Sequence, residues 1–195
     1  MNYTELKTAI ADWEHRSYDA GKVDLFIDLF EARVNRNLRV PEMEKRATST
    51  PTTEYVALPT DFLELRNIQI NGSTVSLVEY ASPQKIDAMG LTTGTAHYYS
   101  LVGNEFQLNP SAAGSTVEIA YYAKITPLSD TNLTNFLIDS HPDYYLMGCI
   151  HEALIYSIDD RAAQVAQMVA EKEAAIIRKG TAKKYGAGPL VVSAV

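Results

Sequence analysis

Residues 25–47 read LFIDLFEARVNRNLRVPEMEKRA, and this stretch contains the clearest helix of the chain. Its apolar residues recur every three or four positions, at Phe26, Ile27, Leu29, Phe30 and Val34. This spacing predicts a helix over about 23–37 with one apolar face. The charged residues Glu31, Arg33, Arg36 and Arg39 are expected on the other side. Pro41 ends the helix, because the residue before a proline avoids helical geometry.

A second helix is predicted on the N-terminal side of this stretch. It begins near Thr4, and Leu6, Ile10 and Trp13 share one face at spacings of four and three. Ala20-Gly21 is expected to end it, because glycine readily takes the left-handed conformation of a C-cap. Two helices joined by so short a turn predict an antiparallel hairpin.

On the C-terminal side, residues 41–53 are polar and are expected to form a linker, after which the apolar period changes to two. Strands are predicted around 65–70 and 116–123, and Asn71-Gly72 is a strong hairpin turn. A second hairpin is predicted over 97–108 around Gly103-Asn104. Ser82-Pro83 begins a short helix that ends at Gly90. We expect an antiparallel sheet of about four to six strands.

The helical period returns at Ser140. Ser140-His141-Pro142-Asp143 combines a cap, a first-turn proline and an acid near the positive helix end. The helix that follows is apolar nearly all round, which is typical of a helix buried between partners. Asp159 or Asp160 is expected to cap a last helix that runs to Gly180.

These patterns predict an α+β protein. An antiparallel bundle of two N-terminal and two C-terminal helices carries a central antiparallel β-sheet insertion, and a flexible C-terminal arm follows. The expected domains are a helical hairpin at 1–50, a β lobe at 51–135, the helices that complete the bundle at 136–182, and an arm at 183–195.

The composition excludes several classes of protein. The chain has 195 residues, 46% of them hydrophobic, and a net charge of −7. It is too apolar for global disorder, and no apolar run is long enough to span a membrane or act as a secretory signal. Residues 51–130 carry −5 of the charge. This acidity argues against general nucleic-acid binding, which needs clustered cations.

No catalytic constellation is evident in the sequence. Cys149 and His151 are two residues apart on a helix and point away from each other, so Cys149 is interpreted as core. His141 and His151 lack the four-residue spacing of a shared metal site. Asp159-Asp160 is interpreted as a helix cap. No cofactor is expected, although an enzyme assembled from distant residues stays an alternative.

Two features suggest binding surfaces. The basic run of the last helix suits a phosphate backbone or an acidic partner, or simply complements the helix dipole; it comprises Lys172, Arg178, Lys179, Lys183 and Lys184. The apolar tip Leu190–Val195 follows a glycine-proline hinge. Such a tip favours strand addition to another chain.

Three segments carry a family resemblance. Residues 25–47, residues 55–66 (YVALPTDFLELR) and residues 121–132 (YYAKITPLSDTN) resemble the head-to-tail adaptor proteins of tailed phages. The order of a helical hairpin, a β insertion and two further helices is also similar to that family over about 1–180.

The resemblance implies a structural virion protein and no enzymatic activity. Such adaptors form a ring, typically dodecameric, beneath the portal protein, extend the DNA channel and dock the tail or nozzle protein. Packaged DNA passes through without sequence-specific binding. The implied location is the head–tail interface of the virion, with the host cytoplasm as the site of assembly.

On this basis the arm is expected to bind the portal through Leu190, Val191, Val192 and Val195. Contacts between subunits are expected at Arg33, Arg36, Arg39, Tyr144 and Tyr145. The alternatives are another ring-forming virion protein, such as a tail terminator, and a small soluble enzyme.

Overall fold

The computed structural model describes residues 1–15, 18–71, 78–90 and 94–186. Its described helices are α1 (Tyr3–Glu14), α2 (Ala20–Asn37), α3 (Pro83–Met89), α4 (Phe136–Ser140), α5 (Pro142–Tyr156) and α6 (Ala162–Gly186), with a 3₁₀ turn at Pro41–Met43. Its described strands are β1 (Glu44–Ser49), β2 (Tyr55–Ala57), β3 (Phe62–Ile70), β4 (Glu79–Tyr80), β5 (Tyr98–Val102), β6 (Glu105–Asn109) and β7 (Val117–Ala123). The predicted α+β class is confirmed.

The chain divides into two compact units. Met1–Met43 and Ile125–Val195 form one, which we call the helical unit, and Glu44–Lys124 form the other, the strand unit. The strand unit is therefore an insertion between two helical stretches of the sequence.

The first helix begins and ends through local polar contacts. Asn2 and Glu5 form a reciprocal capping box, in which the Glu5 amide donates to Asn2 Oδ1 at 2.9 Å and the Asn2 amide donates to Glu5 Oε2 at 3.0 Å. His15, with a φ of 49°, ends the helix in the left-handed conformation. The prediction of a cap at Ala20-Gly21 is wrong, because both residues begin α2. Trp13 is 55% exposed and does not share the buried face of Leu6 and Ile10.

Helix α2 has the predicted course and most of the predicted face. Phe26, Ile27, Phe30 and Val34 are buried, whereas Leu29 is 46% exposed. The buried residues turn toward α5, and Leu29 lies at the edge of this face.

Helix α5 is buried nearly all round, as predicted. It contacts α1, α2, α4 and α6, and eight of its residues are buried: Tyr144, Tyr145, Gly148, Cys149, Ile150, His151, Ala153 and Leu154. Pro142 and Asp143 occupy its first turn as expected. The prediction that Ser140 caps it is wrong: Ser140 is the last residue of α4, and His141 stands at the cap position without a side-chain bond.

The described residues of the strand unit form two sheets, where a single one was expected. One is antiparallel in the order β1-β7-β3, and the other has the order β2-β6-β5-β4, with β4 parallel to β5. Residues 44–49 form strand β1 and not a linker. Their sequence, EKRATS, lacks apolar alternation, as suits a largely exposed strand at the edge of the described sheet, where it pairs with β7.

The turns of the strand unit follow the sequence where they are described. Strands β5 and β6 form the predicted hairpin, and Gly103 takes a φ of 60° in its turn. Asn71 has a φ of 53°, and its side-chain Oδ1 accepts the Thr116 amide at 2.9 Å. The remainder of the predicted 71–78 hairpin, at 72–77, lies outside the described residues.

The core of the strand unit centres on Phe106. The rings of Phe62 and Tyr99 each meet it edge-on, with centroids 5.7 Å apart, and the Phe62 ring also stacks on Tyr121. Buried aliphatic residues complete this core, among them Val56, Ile68, Ile70, Leu108, Val117 and Ile119.

Gly148 lies where the Phe30 ring of α2 approaches the α5 backbone, and this contact yields a stability prediction. A Cβ at position 148 would overlap the Phe30 ring, whereas a Cβ at Gly21 meets nothing within 4 Å. We expect Gly148→Ala to lower the free energy of unfolding by about 2–3 kcal/mol, as overpacking does. Gly21→Ala, the matched control, should not lower the free energy of unfolding by more than about 0.5 kcal/mol, because alanine favours a helix and its Cβ meets no neighbour there. Urea unfolding followed by circular dichroism measures both; equal effects would contradict the packing described.

Candidate functional site

The carboxylate of Glu31 lies inside the helical unit. The residue is 5% exposed, so its predicted place on the solvent side of α2 is wrong. The Leu128 amide donates to Glu31 Oε1 at 2.8 Å, and the Tyr145 hydroxyl donates to the same oxygen. A signal for this burial exists in the sequence. Positions 27, 31, 34 and 38 follow each other at spacings of four, three and four, and the other three residues of that row are apolar and buried.

Burial determines the electrostatics of this carboxylate. Loss of solvent raises the pKa of Glu31, and the hydrogen bonds from Tyr145 and Leu128 oppose that rise without cancelling it. Burial and then the neighbouring Glu31 charge raise the pKa of the Tyr145 hydroxyl above its usual range. The Tyr145 hydroxyl therefore keeps its proton and donates the hydrogen bond, and Glu31 is the group of this pair that loses its proton at the lower pH.

The segment 125–135, which we call the strap, returns the chain from β7 to the helices and is held by side chains. Asn35 of α2 accepts the Ile125 amide at 2.9 Å through Oδ1. Asn135 donates to the Thr126 carbonyl at 2.9 Å, and its own Oδ1 accepts two free amides at the start of α4. Together with Glu31, these contacts bind the strap at three backbone positions. Most of the 121–132 motif that carries the family resemblance is thus a segment fixed by polar contacts.

Arg33 has a partner within its own chain. Its guanidinium lies 2.7 Å from Glu152 Oε1, and His151 Nδ1 lies 3.5 Å from the same oxygen. Burial and then the Arg33 charge lower the pKa of His151. The imidazole is accordingly neutral near pH 7, and Arg33 supplies the positive charge that faces Glu152.

The other two arginines of the predicted subunit contact differ from each other. Arg39 Nη1 donates to the carbonyls of Asn35 at 3.0 Å and Leu38 at 2.6 Å, so it closes the end of α2. Arg36 lies on the exposed side of the same helix.

Tyr144 and Tyr145, the other residues of the expected subunit contact, lie in the core. Both have no exposed surface, and both rings meet Phe30 edge-on with centroids 5.1 Å apart. The Tyr144 hydroxyl donates to Glu173 Oε2 at 3.0 Å. A neighbouring subunit has no access to either side chain in this conformation. The pair of tyrosines predicted an interface because a tyrosine side chain, with its apolar ring and polar hydroxyl, suits both an interface and a buried core.

The candidate catalytic residues also have structural roles. Cys149 is fully buried, as predicted, and burial raises the pKa of its thiol well above the usual value. Asp159 accepts three hydrogen bonds from Arg161 just before the start of α6. The donors are Nε at 3.0 Å, Nη2 at 2.9 Å and the backbone amide at 2.9 Å. Among the described residues, no group of three or more His, Cys, Asp or Glu could hold a metal ion.

The basic run of α6 is partly neutralised within the helical unit. Lys172 pairs with Asp143, and Lys183 Nζ lies 2.6 Å from Glu42 Oε1. The Lys183 contact lowers the pKa of Glu42. These pairs favour the structural interpretation of the run over a dedicated phosphate site. The expected portal-binding residues Leu190, Val191, Val192 and Val195 lie outside the described residues.

A sequence comparison identifies the family. The model of the SU10 adaptor protein family matches residues 1–193. The chain belongs to this family of phage head–tail adaptors. The predicted resemblance is confirmed, and it extends past residue 180 into the C-terminal arm. A search of curated proteins found no match to the chain.

Membership in the SU10 adaptor protein family gives the chain a structural role in the phage virion. Portal and tail proteins are the general class of partner that such an adaptor meets. In the part of the chain that the structure describes, no helix has the length and apolar content needed to cross a bilayer.

The raised pKa of Glu31 yields a prediction for stability against pH. The native state takes up a proton at higher pH than the unfolded state, so wild-type protein gains stability relative to Glu31→Gln as pH falls from 8 toward 4.5. The gain is about 1.4 kcal/mol for each unit by which the native pKa is raised. Tyr145→Phe removes a donor that holds this pKa down, and should enlarge the effect.

Urea unfolding of the three proteins at a series of pH values measures these differences. A difference between wild type and Glu31→Gln that is constant, or that shrinks as the pH falls, would contradict the buried carboxylate.

Proposed function

We propose that this SU10-family adaptor forms a ring, dodecameric as in related connectors, beneath the portal protein after DNA packaging. The ring extends the DNA channel and gives the tail or nozzle protein its docking surface. The observation that carries the proposal is the family match over residues 1–193, which includes both helical stretches, the strand unit and all but the last two residues of the arm.

The exposed apolar residues of the helical unit support assembly. Among the described residues of this unit, seven large apolar side chains have 45% or more of their surface exposed: Trp13, Leu25, Leu29, Ile155, Tyr156, Ile158 and Met168. Ile158 is 92% exposed and also has a φ of 54°, which a β-branched residue rarely adopts. Exposed large apolar side chains of this kind can form the buried core of an interface with another chain.

The charge of both units suits a channel through which DNA slides. The strand unit contains five basic and eight acidic residues, and the helical unit contains twelve and sixteen. When the two units are bounded as in the structure, the excess of acidic residues is therefore divided between them and is not concentrated in the strand unit. An acidic wall repels the phosphate backbone, so neither unit holds the DNA in place.

The C-terminal arm is the proposed portal anchor. Its apolar residues Leu190, Val191, Val192 and Val195 follow Gly186, the last residue of α6, and a Gly188-Pro189 pair. An apolar segment with this sequence can add a strand to a partner sheet or fill a cleft in a partner. Of the three arginines expected between subunits, we retain Arg36, since Arg33 and Arg39 already bind groups of their own chain.

Removal of residues 187–195 tests the anchor. Residues 1–186 contain every helix and strand that the structure describes, so the truncated protein should stay folded and unfold cooperatively on heating. It should lose co-sedimentation with purified portal, whereas the full-length protein should cap the portal in negative-stain images. A full-length variant with Leu190, Val191 and Val192 all changed to Ser is the matched control and should behave like the truncation.

Undiminished portal binding by both variants would contradict the anchor. A full-length protein that never caps the portal would contradict the adaptor role and favour another ring of the virion, such as a tail terminator.

A further inference from the structure

An exposed stripe runs along the outer side of α2. Leu25, Leu29, Ala32 and Arg36 follow each other at spacings of four, three and four, which places them on one side of the helix. All four are exposed, and the two leucines keep 47% and 46% of their surface in solvent. This is the spacing by which one helix packs along another, and it ends in a cation.

A stripe of similar spacing and opposite charge lies on α6. Gln164, Met168 and Glu171 follow each other at spacings of four and three, all are exposed, and Met168 is 45% exposed. The only described contact of the Glu171 carboxylate is a hydrogen bond of 3.1 Å from Gln167, one turn earlier on the same exposed surface. This stripe therefore offers an apolar residue and an acid where the α2 stripe offers apolar residues and a cation.

Both stripes run in the same direction along α5. The Phe26 ring of α2 meets Tyr156 at the end of α5, with centroids 5.6 Å apart, and the Phe30 ring meets Tyr145 near its start. Helix α6 begins after the end of α5 and runs back along it. Its residue Glu173 lies beside the start of α5, where the Glu173 carboxylate accepts a hydrogen bond from the Tyr144 hydroxyl. Leu29 and Met168 thus both lie beside the middle of α5, and Arg36 and Glu171 both lie toward its start.

The two helices pack against α5 through partly different residues. Tyr145 meets Phe30 and Glu31 of α2, and Asp143 meets Lys172 of α6. Tyr144, between them, meets both the Phe30 ring of α2 and the Glu173 carboxylate of α6, so the two helices lie next to each other around α5. A closed ring needs two different, complementary faces on each subunit, and the two stripes, one on each helix, are different and complementary in charge.

We propose that the α2 stripe of one copy packs against the α6 stripe of a second copy, with Leu29 on Met168 and Arg36 paired with Glu171. The interface rests on the ring proposed above. A rotation about an axis parallel to these helices moves the α2 stripe to the neighbouring α6 stripe without a change of level, so Leu29 meets Met168 and Arg36 approaches Glu171. Cation and acid then pair across the interface and set its register.

Cysteine cross-linking tests the contact in the assembled ring. Leu29→Cys/Met168→Cys protein is assembled on purified portal, treated with a short bismaleimide and separated on a denaturing gel. Native Cys149 is fully buried and does not react. The double variant should give a ladder of dimer, trimer and higher multimers, because each subunit links to the next. Leu29→Cys alone, Met168→Cys alone and the pair Leu29→Cys/Leu101→Cys are the controls and should give no ladder.

Charge reversal provides a second measurement on the same pair. Arg36→Glu should raise the protein concentration needed for half-maximal ring assembly by about tenfold, a change of about 1.4 kcal/mol. Glu171→Arg should do the same, and the double variant should restore assembly.

Rings that form on the portal without a ladder, or single reversals that the double variant does not rescue, would overturn this interface and leave the adaptor role intact. A wild-type chain that forms no ring on the portal would overturn both proposals.

Discussion

The hydrogen bonds to the Glu31 carboxylate are the contacts on which the helical unit most depends. The chain leaves this unit after Met43 and returns to it at Ile125, so about eighty residues separate two stretches that must pack together. Glu31 joins them by accepting the backbone amide of Leu128 in the strap and the hydroxyl of Tyr145 in α5. A buried carboxylate is costly without partners, and two donors on two different segments offset that cost only when the segments are in place.

The rest of the helical unit follows from that arrangement. With the strap fixed by Glu31, Asn35 and Asn135, α4 and α5 begin at defined points, and Tyr145 brings α5 against α2. Gly148 then allows the Phe30 ring to approach the α5 backbone. Helix α6 covers another side of α5, which leaves the stripes of α2 and α6 as outward faces. Most of the polar groups that the sequence suggests for catalysis or for binding partners instead make contacts within the helical unit.

Periodicity alone predicts the elements with strong, regular patterns. The apolar row of α2, the continuous burial of α5, the turn at Gly103 and the helix start at Ser82-Pro83 are each determined by neighbours within a few residues. Strand β1 escapes prediction because its partner, β7, lies about 70 residues away and its own sequence is polar on both faces. The contacts of Glu31 and Arg33 could not be predicted for a related reason. Their partners Leu128, Tyr145 and Glu152 are remote in sequence, and no local pattern identifies these three residues as partners. Family membership follows from motif resemblance, whereas the faces that contact other subunits require the folded arrangement.

Amide hydrogen exchange at Leu128 measures the Glu31 contact most directly. Leu128 is 5% exposed, and its amide depends on Glu31, whereas the Ile125 amide depends on Asn35 within the same strap. In Glu31→Ala, exchange at Leu128 should accelerate by at least about tenfold relative to exchange at Ile125, since the lost acceptor is specific to one amide. Equal protection of Leu128 in wild type and variant, with the rest of the unit folded, would contradict the role of Glu31 in holding the strap.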